Sequence, residues 1–360
     1  MTARAHTLHL VEYLAQGGIE RLLEQIARYT PASRTKLIFF SYETQTVEGI
    51  GKELVELGVP VFTYKKRGGY DPGLLLKLIR LVQEQKITVV HTHDFGPMEY
   101  AVALKLRFPR LRLIHTHHTL VHFLNNRKYL FFFQVGSHFY FRVIAVSEHV
   151  KHQIVKHCPL AARNIVVIPN GVALDQFHTG RSKDDGRLKL VNISRLSPEK
   201  NLAYVLRTCV RLKEANIPFE LHHAGSGSKE LEAQTRAFIA EHGLTDFVHL
   251  YGFQTDVRKI LSKGNIFVSS SITEGHPVAV LEAMASGKAC MISDIPPHRT
   301  IAPGAVKLFS IQDETALFRL LAEAALDSEP VKALSREGRK QVRLRYGIDR
   351  MIESYCELYA

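Results

Sequence analysis

The chain has 360 residues, of which 46% are hydrophobic, and a formal net charge of +12. This length exceeds one typical domain and fits two domains of roughly 150–200 residues each. No apolar run reaches about 18 residues, so a transmembrane helix is not expected. The four scattered cysteines form no CxxC pair, which favours a reducing cytoplasm and argues against structural zinc. The N-terminus shows no apolar signal core, and an export signal is not expected.

The positive charge is unevenly distributed along the chain. Residues 1–170 contain 22 Lys and Arg against 12 Asp and Glu, whereas the remainder contains 25 against 23. An anionic acceptor, an acidic membrane surface, nucleic acid or simply a soluble basic surface would each account for this surplus. No recognised nucleic-acid motif is present, so a nucleic-acid partner is not expected.

Strand-like and helix-like segments alternate along the first half of the chain. The predicted strands are Leu8–Leu14, Lys36–Ser41, Val59–Tyr64, Thr88–His93, Arg112–His117, Val143–Ser147 and Ile165–Pro169. Predicted helices between them include Ile19–Tyr29, Ile50–Leu57 and Leu74–Gln85. Short β-rich runs that alternate with helices indicate a parallel sheet covered on both faces.

A polar stretch, Leu174–Leu188, reads as a linker, and the alternation then restarts. The predicted strands are Lys189–Ser194, Phe219–Ala224, Phe247–Tyr251, Ile266–Ser269 and Ala289–Ser293, and the predicted helices are Leu202–Ala215, Lys229–His242 and Val257–Leu261. The tail Thr315–Tyr359 reads as helices only. The fold class is therefore α/β, with two doubly wound Rossmann-like domains and a ligand cleft between the carboxyl ends of their strands.

The aromatic stretch Tyr129–Phe141 has two interpretations. An interfacial membrane segment would carry aromatic residues on one face. A core helix that leads into the strand at Val143 is favoured, because His138, Gln134 and Gly136 interrupt a clean membrane face.

The segment from Ser271 to Gly287 predicts a helix buried on all sides, which begins at Pro277 and is capped by Gly287. Glu282 is the single carboxylate inside this helix, and Glu274 precedes it. The intervening turn presents backbone N–H groups, so the segment offers an anion site between two hydroxyl acceptors. The alternative is a buried Glu paired with a Lys or a backbone amide.

Two further loops could bind phosphate. Arg195 and Lys200 follow a strand of the second domain and are suited to hold a diphosphate leaving group, unless they are simply solvated cations. Gly17 and Gly18 separate the first strand from the first helix, where backbone amides can approach phosphate or sugar. A simple tight turn would explain them equally well.

Histidines recur near strand ends, at His91, His93, His115, His117 and His118. Their alternation places pairs on one face of each strand. Metal binding is conceivable for imidazole, but no HExxH or equivalent spacing occurs. Hydrogen bonding to a substrate, or packing as neutral histidines, is favoured over a metal site.

Taken together, these residues resemble the family-4 glycosyltransferases of the GT-B fold, which are retaining and metal-independent. The resemblance covers nearly the whole chain. It is carried by the E-x7-E segment Glu274–Gly287, Arg195 with Lys200, the turn Gly17–Gly18, Ala145-Val146-Ser147-Glu148 and Ile168-Pro169-Asn170-Gly171-Val172. It implies an acceptor-side domain 1–173, a donor-binding domain 174–346, and a last helix, about 347–360, that packs on the first domain.

The resemblance also implies roles for individual residues. Arg195 and Lys200 would neutralise the diphosphate of the donor, with Glu274 and the turn Gly275, His276, Pro277 and Val278 at the transferred sugar. Glu282 would hold the ribose, Gly17 and Gly18 would approach the diphosphate, and His118 would lie near the reacting sugar. The base would lie near Tyr251 and Phe253, and Ser226 lies on a further cleft loop. His93 and His117 are candidates for the acceptor side.

The expected function is transfer of a hexose or N-acetylhexosamine from a nucleoside diphosphate sugar to a hydroxyl of a glycan, lipid or small molecule, in cell-envelope synthesis. Neither a cofactor nor a metal is expected. The expected location is the cytoplasm, at the inner face of the membrane, with peripheral association with anionic lipid. The alternative is a non-catalytic sugar-nucleotide or glycan-binding protein on the same fold.

Two departures from the family pattern affect these expectations. Ala173 stands where the family often has Asp, which weakens only the linker match. The segment Asp294–Arg299 replaces a Gly-Gly-x-x-Glu segment, which leaves the contacts near the acceptor open.

Overall fold

The computed structural model describes residues 4–14, 17–118, 126–177 and 185–360. The chain forms two compact units: Met1–Gly171 with Ile348–Ala360, and Val172–Gly347. The sequence-based boundary lies two residues further along, at 173 and 174. Val172 belongs to the second unit because it forms an isolated parallel bridge with Gly347. Part of the predicted linker Leu174–Leu188 lies outside the described residues.

The first unit is built on an eight-stranded sheet of order β3-β4-β2-β1-β5-β6-β7-β8. All neighbouring strands are parallel except β3 and β4. The strands are β1 (Ala5–Val11), β2 (Thr35–Ser41), β3 (Glu43–Thr44), β4 (Val61–Lys65), β5 (Val89–His93), β6 (Arg112–His117), β7 (Arg142–Ala145) and β8 (Ile165–Val167). The predicted parallel sheet is therefore confirmed.

Helices cover this sheet. They are α1 (Gly18–Tyr29), α2 (Ile50–Glu56), α3 (Pro72–Glu84), α4 (Met98–Arg107), α5 (Arg127–Gly136) and α6 (Glu148–His157). The start of α3 shows how local chemistry sets a boundary, since the Asp71 carboxylate accepts hydrogen bonds from the amides of Gly73 and Leu74. Pro72 lacks an amide hydrogen and fits the first helical position without loss.

The second unit contains a six-stranded parallel sheet of order β11-β10-β9-β12-β13-β14. The strands are β9 (Leu188–Ile193), β10 (Phe219–Ala224), β11 (Val248–Leu250), β12 (Ile266–Ser269), β13 (Ala289–Ser293) and β14 (Lys307–Phe309). The helices are α7 (Leu202–Glu214), α8 (Lys229–Glu241), α9 (Arg258–Leu261), α10 (Val278–Ala285), α11 (Pro296–Ile301), α12 (Ala316–Leu326) and α13 (Glu329–Arg345). This confirms the second doubly wound unit and the helical tail.

The last helix, α14 (Ile348–Tyr359), belongs to the first unit. The Tyr359 hydroxyl lies 2.8 Å from Nδ1 of His91, and Arg112 donates to the Leu358 carbonyl at 3.1 Å. Among the described residues, no helix has the length and apolar character needed to cross a bilayer.

Several boundaries differ from the predicted ones. Strand β1 ends at Val11 rather than Leu14, because the Glu12 carbonyl accepts from the amides of Tyr42 and Glu43 outside the ladder. The short elements β3, β14 and α11 were not predicted. Each has two to six residues, too few for a clear hydrophobic period.

The aromatic stretch 129–141 is partly core and partly surface. It forms α5, a 3₁₀ turn Ser137–Phe139, and the connection to β7. Phe133 and Tyr140 are buried, as the core interpretation predicts, but Phe131 is 73% exposed and Val135 50% exposed. The core interpretation was therefore wrong for the outer face of α5.

Candidate active site

Arg195 and Lys200 lie at the carboxyl end of β9, where they have different surroundings. Arg195 is 73% exposed and its Nη2 lies 3.2 Å from Oε1 of Glu199, whereas Lys200 is 19% exposed. An exposed ion pair contributes little to the free energy of folding. Arg195 can therefore exchange Glu199 for another anion at small cost, while Lys200 is held in place.

Lys200 forms an ion pair with Glu274, with 2.6 Å between Nζ and Oε1. The Glu274 side chain is only 12% exposed, and its Oε1 also accepts the Ser271 hydroxyl at 2.8 Å. Hydrogen bonds between charged partners are short and strong. Two residues that are 74 positions apart in sequence, both predicted to contact the donor, thus meet at one point of the second unit.

Backbone contacts fasten the loops that carry this pair. The Ile272 amide donates to the Glu199 carbonyl at 2.8 Å, and the Ser270 hydroxyl donates to the Asn201 carbonyl at 2.7 Å. Asn201 adopts φ +50, a left-handed conformation that Asn tolerates better than most residues. These contacts fix the distance between β9 and β12 at their carboxyl ends.

Helix α10 is not buried on all sides. Val280, Leu281, Ala283, Met284 and Ala285 are buried. Val278, Ala279 and Glu282 are partly exposed. The prediction of a fully buried carboxylate was therefore wrong, and Glu282 instead lies on the side of the helix that packing leaves open.

The ends of α10 are close to those predicted. The helix begins at Val278, one residue after Pro277. The predicted Gly287 cap is confirmed, because Gly287 has φ +68 and donates to the Met284 carbonyl, while Lys288 donates to the Ala283 carbonyl. This pattern of two bonds closes helices that end in a left-handed glycine.

His276 lies on the turn before α10 and is partly exposed. Its ring packs against Tyr346 with 5.5 Å between centroids, and desolvation lowers the pKa of His276 to about 4. The side chain is therefore neutral at pH 7.

Ser226 and the Tyr251–Phe253 segment join the same edge of the sheet. The Gly225 amide donates to the Gly252 carbonyl at 2.8 Å, and the Leu196 amide donates to the Ser226 carbonyl at 3.0 Å. A β-carbon on Gly225 would lie 1.8 Å from the Ser194 carbonyl oxygen, so only glycine fits this contact. The structure therefore brings three predicted loops together.

Tyr251 and Phe253 offer different surfaces within that edge. The Tyr251 hydroxyl lies 3.0 Å from Nδ1 of His222, which orients the ring. Phe253 is 42% exposed. An exposed ring on a fixed loop provides an apolar face against which a planar base can stack.

His298 is a candidate site residue that sequence reasoning missed. It is fully buried on α11, and its Nδ1 lies 2.8 Å from the Ser293 carbonyl oxygen, so Nδ1 donates. Burial lowers the His298 pKa, the Ser293 bond and Glu274 oppose that shift, and Lys200 adds to it. Nε2 has no hydrogen-bond partner among the residues described. The available signal was the departure from the family pattern at Asp294–Arg299.

Gly17 and Gly18 form the N-terminus of α1, as predicted, with Gly17 as the cap and Gly18 as the first residue. Neither has a positive φ of the left-handed kind. A β-carbon on Gly18 would meet no atom within 4 Å. Packing within the first unit therefore does not require glycine at 18, whereas a β-carbon on Gly17 would clash with the Glu20 carboxylate, which lies beside the N-terminus of α1.

The predicted histidine candidates of the first unit are buried. His93, His117 and His118 are 3%, 2% and 6% exposed, respectively. Nδ1 of His93 lies 3.1 Å from Nε2 of His118, and the His118 amide donates to Asp94 at 3.1 Å. The interpretation as neutral packed histidines is confirmed for His93, while a contact of His93 or His117 with an acceptor stays a prediction.

His9, His91 and His93 have ring nitrogens within 4.8 Å of one another, which raises the question of a metal. Every ring nitrogen of these three histidines already has a hydrogen-bond partner, supplied by Thr116, Tyr359, His118 or another member of the trio. A metal would have to displace these bonds. The arrangement fits a hydrogen-bond network better than a cation site.

Comparisons with known proteins cover both units. Residues 16–176 match the family model Glycosyltransferase Family 4, and residues 175–341 match the model Glycosyl transferases group 1. The chain is 24% identical to a Bacillus subtilis protein named as glycosyltransferase EpsF, over 93% of this chain and 92% of that protein.

Two further relatives indicate the range of the similarity. A UDP-Gal:alpha-D-GlcNAc-diphosphoundecaprenol alpha-1,3-galactosyltransferase of Escherichia coli is 24% identical over 80% of this chain and 79% of its own length. The crystal structure of Anabaena HepE in complex with UDP and glucose superposes with a TM-score of 0.82 at 15% identity, over 98% of both chains. This superposition establishes the fold.

Proposed function

The chain belongs to the family-4 type of glycosyltransferases with the GT-B fold, and on that premise we propose that it transfers a hexose or N-acetylhexosamine from a UDP-sugar to a hydroxyl of a lipid-linked glycan. The chemistry would retain the anomeric configuration and need no metal. The assembly of a cell-envelope polysaccharide is the proposed context, in keeping with the diphosphoundecaprenol acceptor in the name of the E. coli relative.

The Lys200–Glu274 pair carries this proposal. A cation and a carboxylate, both mostly shielded from water, lie 2.6 Å apart at the carboxyl end of the sheet. A sugar nucleotide needs an anion partner for its diphosphate and an acceptor for sugar hydroxyls at adjacent positions. When the donor enters, Lys200 gains a phosphate and Glu274 gains hydroxyl donors, so neither charge loses its compensation.

The remaining contacts follow from the positions of the loops. Exposed Arg195 would turn from Glu199 to the diphosphate, and Glu282 on the open side of α10 would accept from the ribose hydroxyls. Phe253 would stack on the base beside Tyr251 and Ser226. The backbone amides at Gly17 and Gly18 would also bind the diphosphate, in place of the Glu20 carboxylate that lies beside Gly17.

The reaction breaks the bond between the anomeric carbon and the phosphate oxygen and forms one to the acceptor oxygen on the same face. The acceptor proton passes to the departing phosphate oxygen, and the two cations stabilise the diphosphate charge that develops. No metal is required for this charge balance, because Arg195 and Lys200 supply it.

A panel of UDP-, GDP- and ADP-sugars in a thermal-shift assay tests the donor assignment. A ligand that binds only the folded protein raises its melting temperature by mass action. UDP-sugars should raise it most. A larger shift with GDP- or ADP-sugars would show that uracil is not the base of the donor. No shift with any sugar nucleotide would contradict the proposed function.

We further propose that the outer face of α5 attaches the protein to anionic membranes. This face presents Arg127, Lys128, Tyr129, Phe131 and Val135 to solvent. A shallow groove of about 500 Å³ is lined by residues of this face together with Phe95, Phe132 and the acidic Glu99. Cations next to exposed apolar residues suit an interface of acidic headgroups and acyl chains.

Co-sedimentation with phosphatidylglycerol vesicles tests the membrane proposal. The double variant Phe131→Ser with Val135→Ser should lose most binding, and vesicles of phosphatidylcholine alone should bind weakly. Leu326→Ser is the control, because Leu326 is 90% exposed but lies in the second unit beside acidic Asp327 and Glu323. Equal sedimentation of all variants would contradict the assignment of this face.

A further inference from the structure

Three polar side chains lie in series on one face of the second sheet, and are here called the Glu–His–Tyr series. Glu220 and His222 are two residues apart on β10, so their side chains share a face. His222 is in register with His249 of β11, and Tyr251 follows the end of that strand. Nδ1 of His222 lies 3.0 Å from the Tyr251 hydroxyl, and its Nε2 lies 3.5 Å from Oε2 of Glu220. His222 therefore joins the carboxylate to the phenol.

The surroundings of His222 keep its ring neutral. His222 is 6% exposed and stacks on His249 with 5.0 Å between the ring centroids. Lys263 also faces the series, with Nζ 5.5 Å from the centroid of the Tyr251 ring. Burial lowers the pKa of His222 to about 4, His249 and Lys263 add to that shift, and Glu220 opposes it. At pH 7 the imidazole therefore has one N–H group and one bare nitrogen.

Glu220 determines which nitrogen of His222 carries the hydrogen. A carboxylate oxygen accepts hydrogen bonds and cannot donate them. The hydrogen is therefore assigned to Nε2, which faces Glu220, and the bare Nδ1 accepts from the Tyr251 hydroxyl. Arg187 forms an ion pair with the same carboxylate, which holds Glu220 beside β10.

The bond to His222 fixes the side chain of a segment whose main chain is already anchored. The Tyr251 amide donates to the His223 carbonyl at 2.9 Å. The Gly252 carbonyl accepts from the Gly225 amide at 2.8 Å. In the described part of the chain, His222 is the hydrogen-bond partner of the Tyr251 hydroxyl. Loss of this bond would release the ring while both main-chain bonds remained possible.

We propose that His222, oriented by Glu220, is a positioning residue that fixes the Tyr251 side chain and thereby keeps segment 251–253 in the conformation that receives the base of the donor. The role toward the base rests on the proposed function. His222 is too deeply buried to contact a nucleotide, so it acts through Tyr251. A segment that is ordered before the ligand arrives loses less conformational entropy on binding.

Nitrogen-15 NMR of the histidine side chains tests the orientation by Glu220. Protonated and bare imidazole nitrogens have well-separated chemical shifts. In the wild-type protein we expect Nε2 of His222 to show the shift of an N–H and Nδ1 that of a bare nitrogen. Glu220→Gln should give a mixture of tautomers, because an amide can donate as well as accept. A protonated Nδ1 in the wild-type protein, or an unchanged spectrum in Glu220→Gln, would overturn the orientation.

The variant His222→Leu tests the effect on the nucleotide. It should raise the Kd for uridine about fivefold, the equivalent of one hydrogen bond. The donor KM should rise by a similar factor while kcat stays unchanged, because the reacting atoms are not touched. His222→Asn should restore most of the affinity, since its amide oxygen can take the place of Nδ1. His242→Leu is the control for loss of an imidazole, because Nδ1 of His242 bonds to a carbonyl of its own helix.

A double variant tests whether His222 acts through Tyr251. Tyr251→Phe removes the hydroxyl alone and should weaken uridine binding as much as His222→Leu does. The two substitutions together should then cost no more than either one, because they remove the same bond. Additive effects on the Kd would show that His222 acts by another route and would overturn the proposal.

Hydrogen exchange at the Tyr251 amide separates this proposal from the proposed function, because it needs no donor. His222→Leu should accelerate this exchange about fivefold, and His242→Leu should not. If His222→Leu leaves both the exchange and the uridine affinity unchanged, the positioning role is wrong. If the wild-type protein binds no uridine nucleotide, the proposed function fails, and the exchange rate still decides whether His222 fixes the segment. If His222→Leu does not fold, Tyr251→Phe provides the same two measurements with the loss of one oxygen atom.

Discussion

In the first unit, the buried histidines near the carboxyl ends of the strands are neutral, whereas in the second unit Lys200 and Glu274 carry opposite charges. His9, His91, His93 and His118 bond to one another and to Tyr359 with almost no exposure to water. Lys200 and Glu274 are partly exposed and compensate each other. Both arrangements satisfy their polar groups, but they do so by different means.

The difference follows from the cost of burial. A histidine avoids that cost by losing its charge, since its ordinary pKa lies near 6.5. Lysine and glutamate would need much larger pKa shifts, so they keep their charges and need each other. Neutral groups suit hydroxyl recognition, and a paired cation suits exchange with a diphosphate.

The largest expected effect is a loss of stability on acidification, to which the buried histidines of the first unit contribute together with His222, His223 and His276 of the second, whose pKa values are lowered to about 4. The folded pKa values of the first-unit histidines lie below the unfolded value near 6.5, so between pH 6.5 and about 3 the unfolded state binds the additional protons. The contribution to stability is complete above pH 6.5 and is lost as pH falls. Each such histidine lowers the free energy of unfolding by about 1.4 kcal/mol per pH unit in this range.

Urea unfolding at pH 7.5, 6.5 and 5.5 measures this effect, before most carboxylates titrate. We expect a decline of several kcal/mol between pH 6.5 and 5.5. The variant Lys200→Met should show the same pH dependence, because it changes only the charged region. A free energy of unfolding that stays constant between pH 7.5 and 5.5 would contradict neutral burial.

Loss of Lys200 should have the next largest effect. In the proposed mechanism Lys200 stabilises the leaving diphosphate, so kcat of Lys200→Ala should fall about 10²–10³-fold. Steady-state transfer from a UDP-sugar measures it. Lys259→Ala is the control, an exposed lysine of the same unit. A Lys200→Ala enzyme that keeps most of its kcat would show that this ion pair is only structural.

Arg195→Ala should have a smaller effect, on the order of tenfold in kcat/KM. Arg195 is 73% exposed and already exchanges with solvent, so part of its charge is screened. The contribution of Arg195 to kcat/KM should decrease as salt is added, whereas that of the shielded Lys200 should not. If kcat/KM of Arg195→Ala and of Lys200→Ala depends on salt in the same way, the two cations are equally screened by solvent.

Gly18→Ala is expected to have the smallest effect. A methyl group there fits within the first unit, so stability should stay unchanged, but it would occupy the space beside the α1 amides and raise the donor KM a few-fold. Gly68→Ala is the control, because that β-carbon also meets no atom within 4 Å. If both variants have wild-type KM values, the α1 terminus does not approach the donor.

Much of this architecture could be predicted from the sequence, because long strands and helices have clear periods. The alternation around Leu190 and Leu221 identifies buried parallel strands, and Gly287 marks a helix end. Elements at sheet edges such as Lys307–Phe309 were missed because three residues carry no period.

The pairings among the candidate site residues could not be predicted from the sequence. Nothing in the spacing indicates that Lys200 bonds to Glu274 across 74 positions, or that Tyr359 lies next to His9 across 350. The exposure of Glu282 was mispredicted because an apolar helix with one side left open has the composition of a fully buried one. For His298 the sequence signalled only the departure from the family pattern at Asp294–Arg299, and its burial and its electrostatic interaction with Glu274 and Lys200 required the structure.

The central claim is that the charged pair of the second unit receives the diphosphate of the donor. Calorimetric titration of wild type and Lys200→Ala with UDP and with uridine tests it most directly, since the two ligands differ only in the diphosphate. The wild-type protein should bind UDP at least tenfold more tightly than uridine, and Lys200→Ala should lose most of that difference while its uridine affinity stays unchanged. An undiminished preference for UDP in Lys200→Ala would contradict the account.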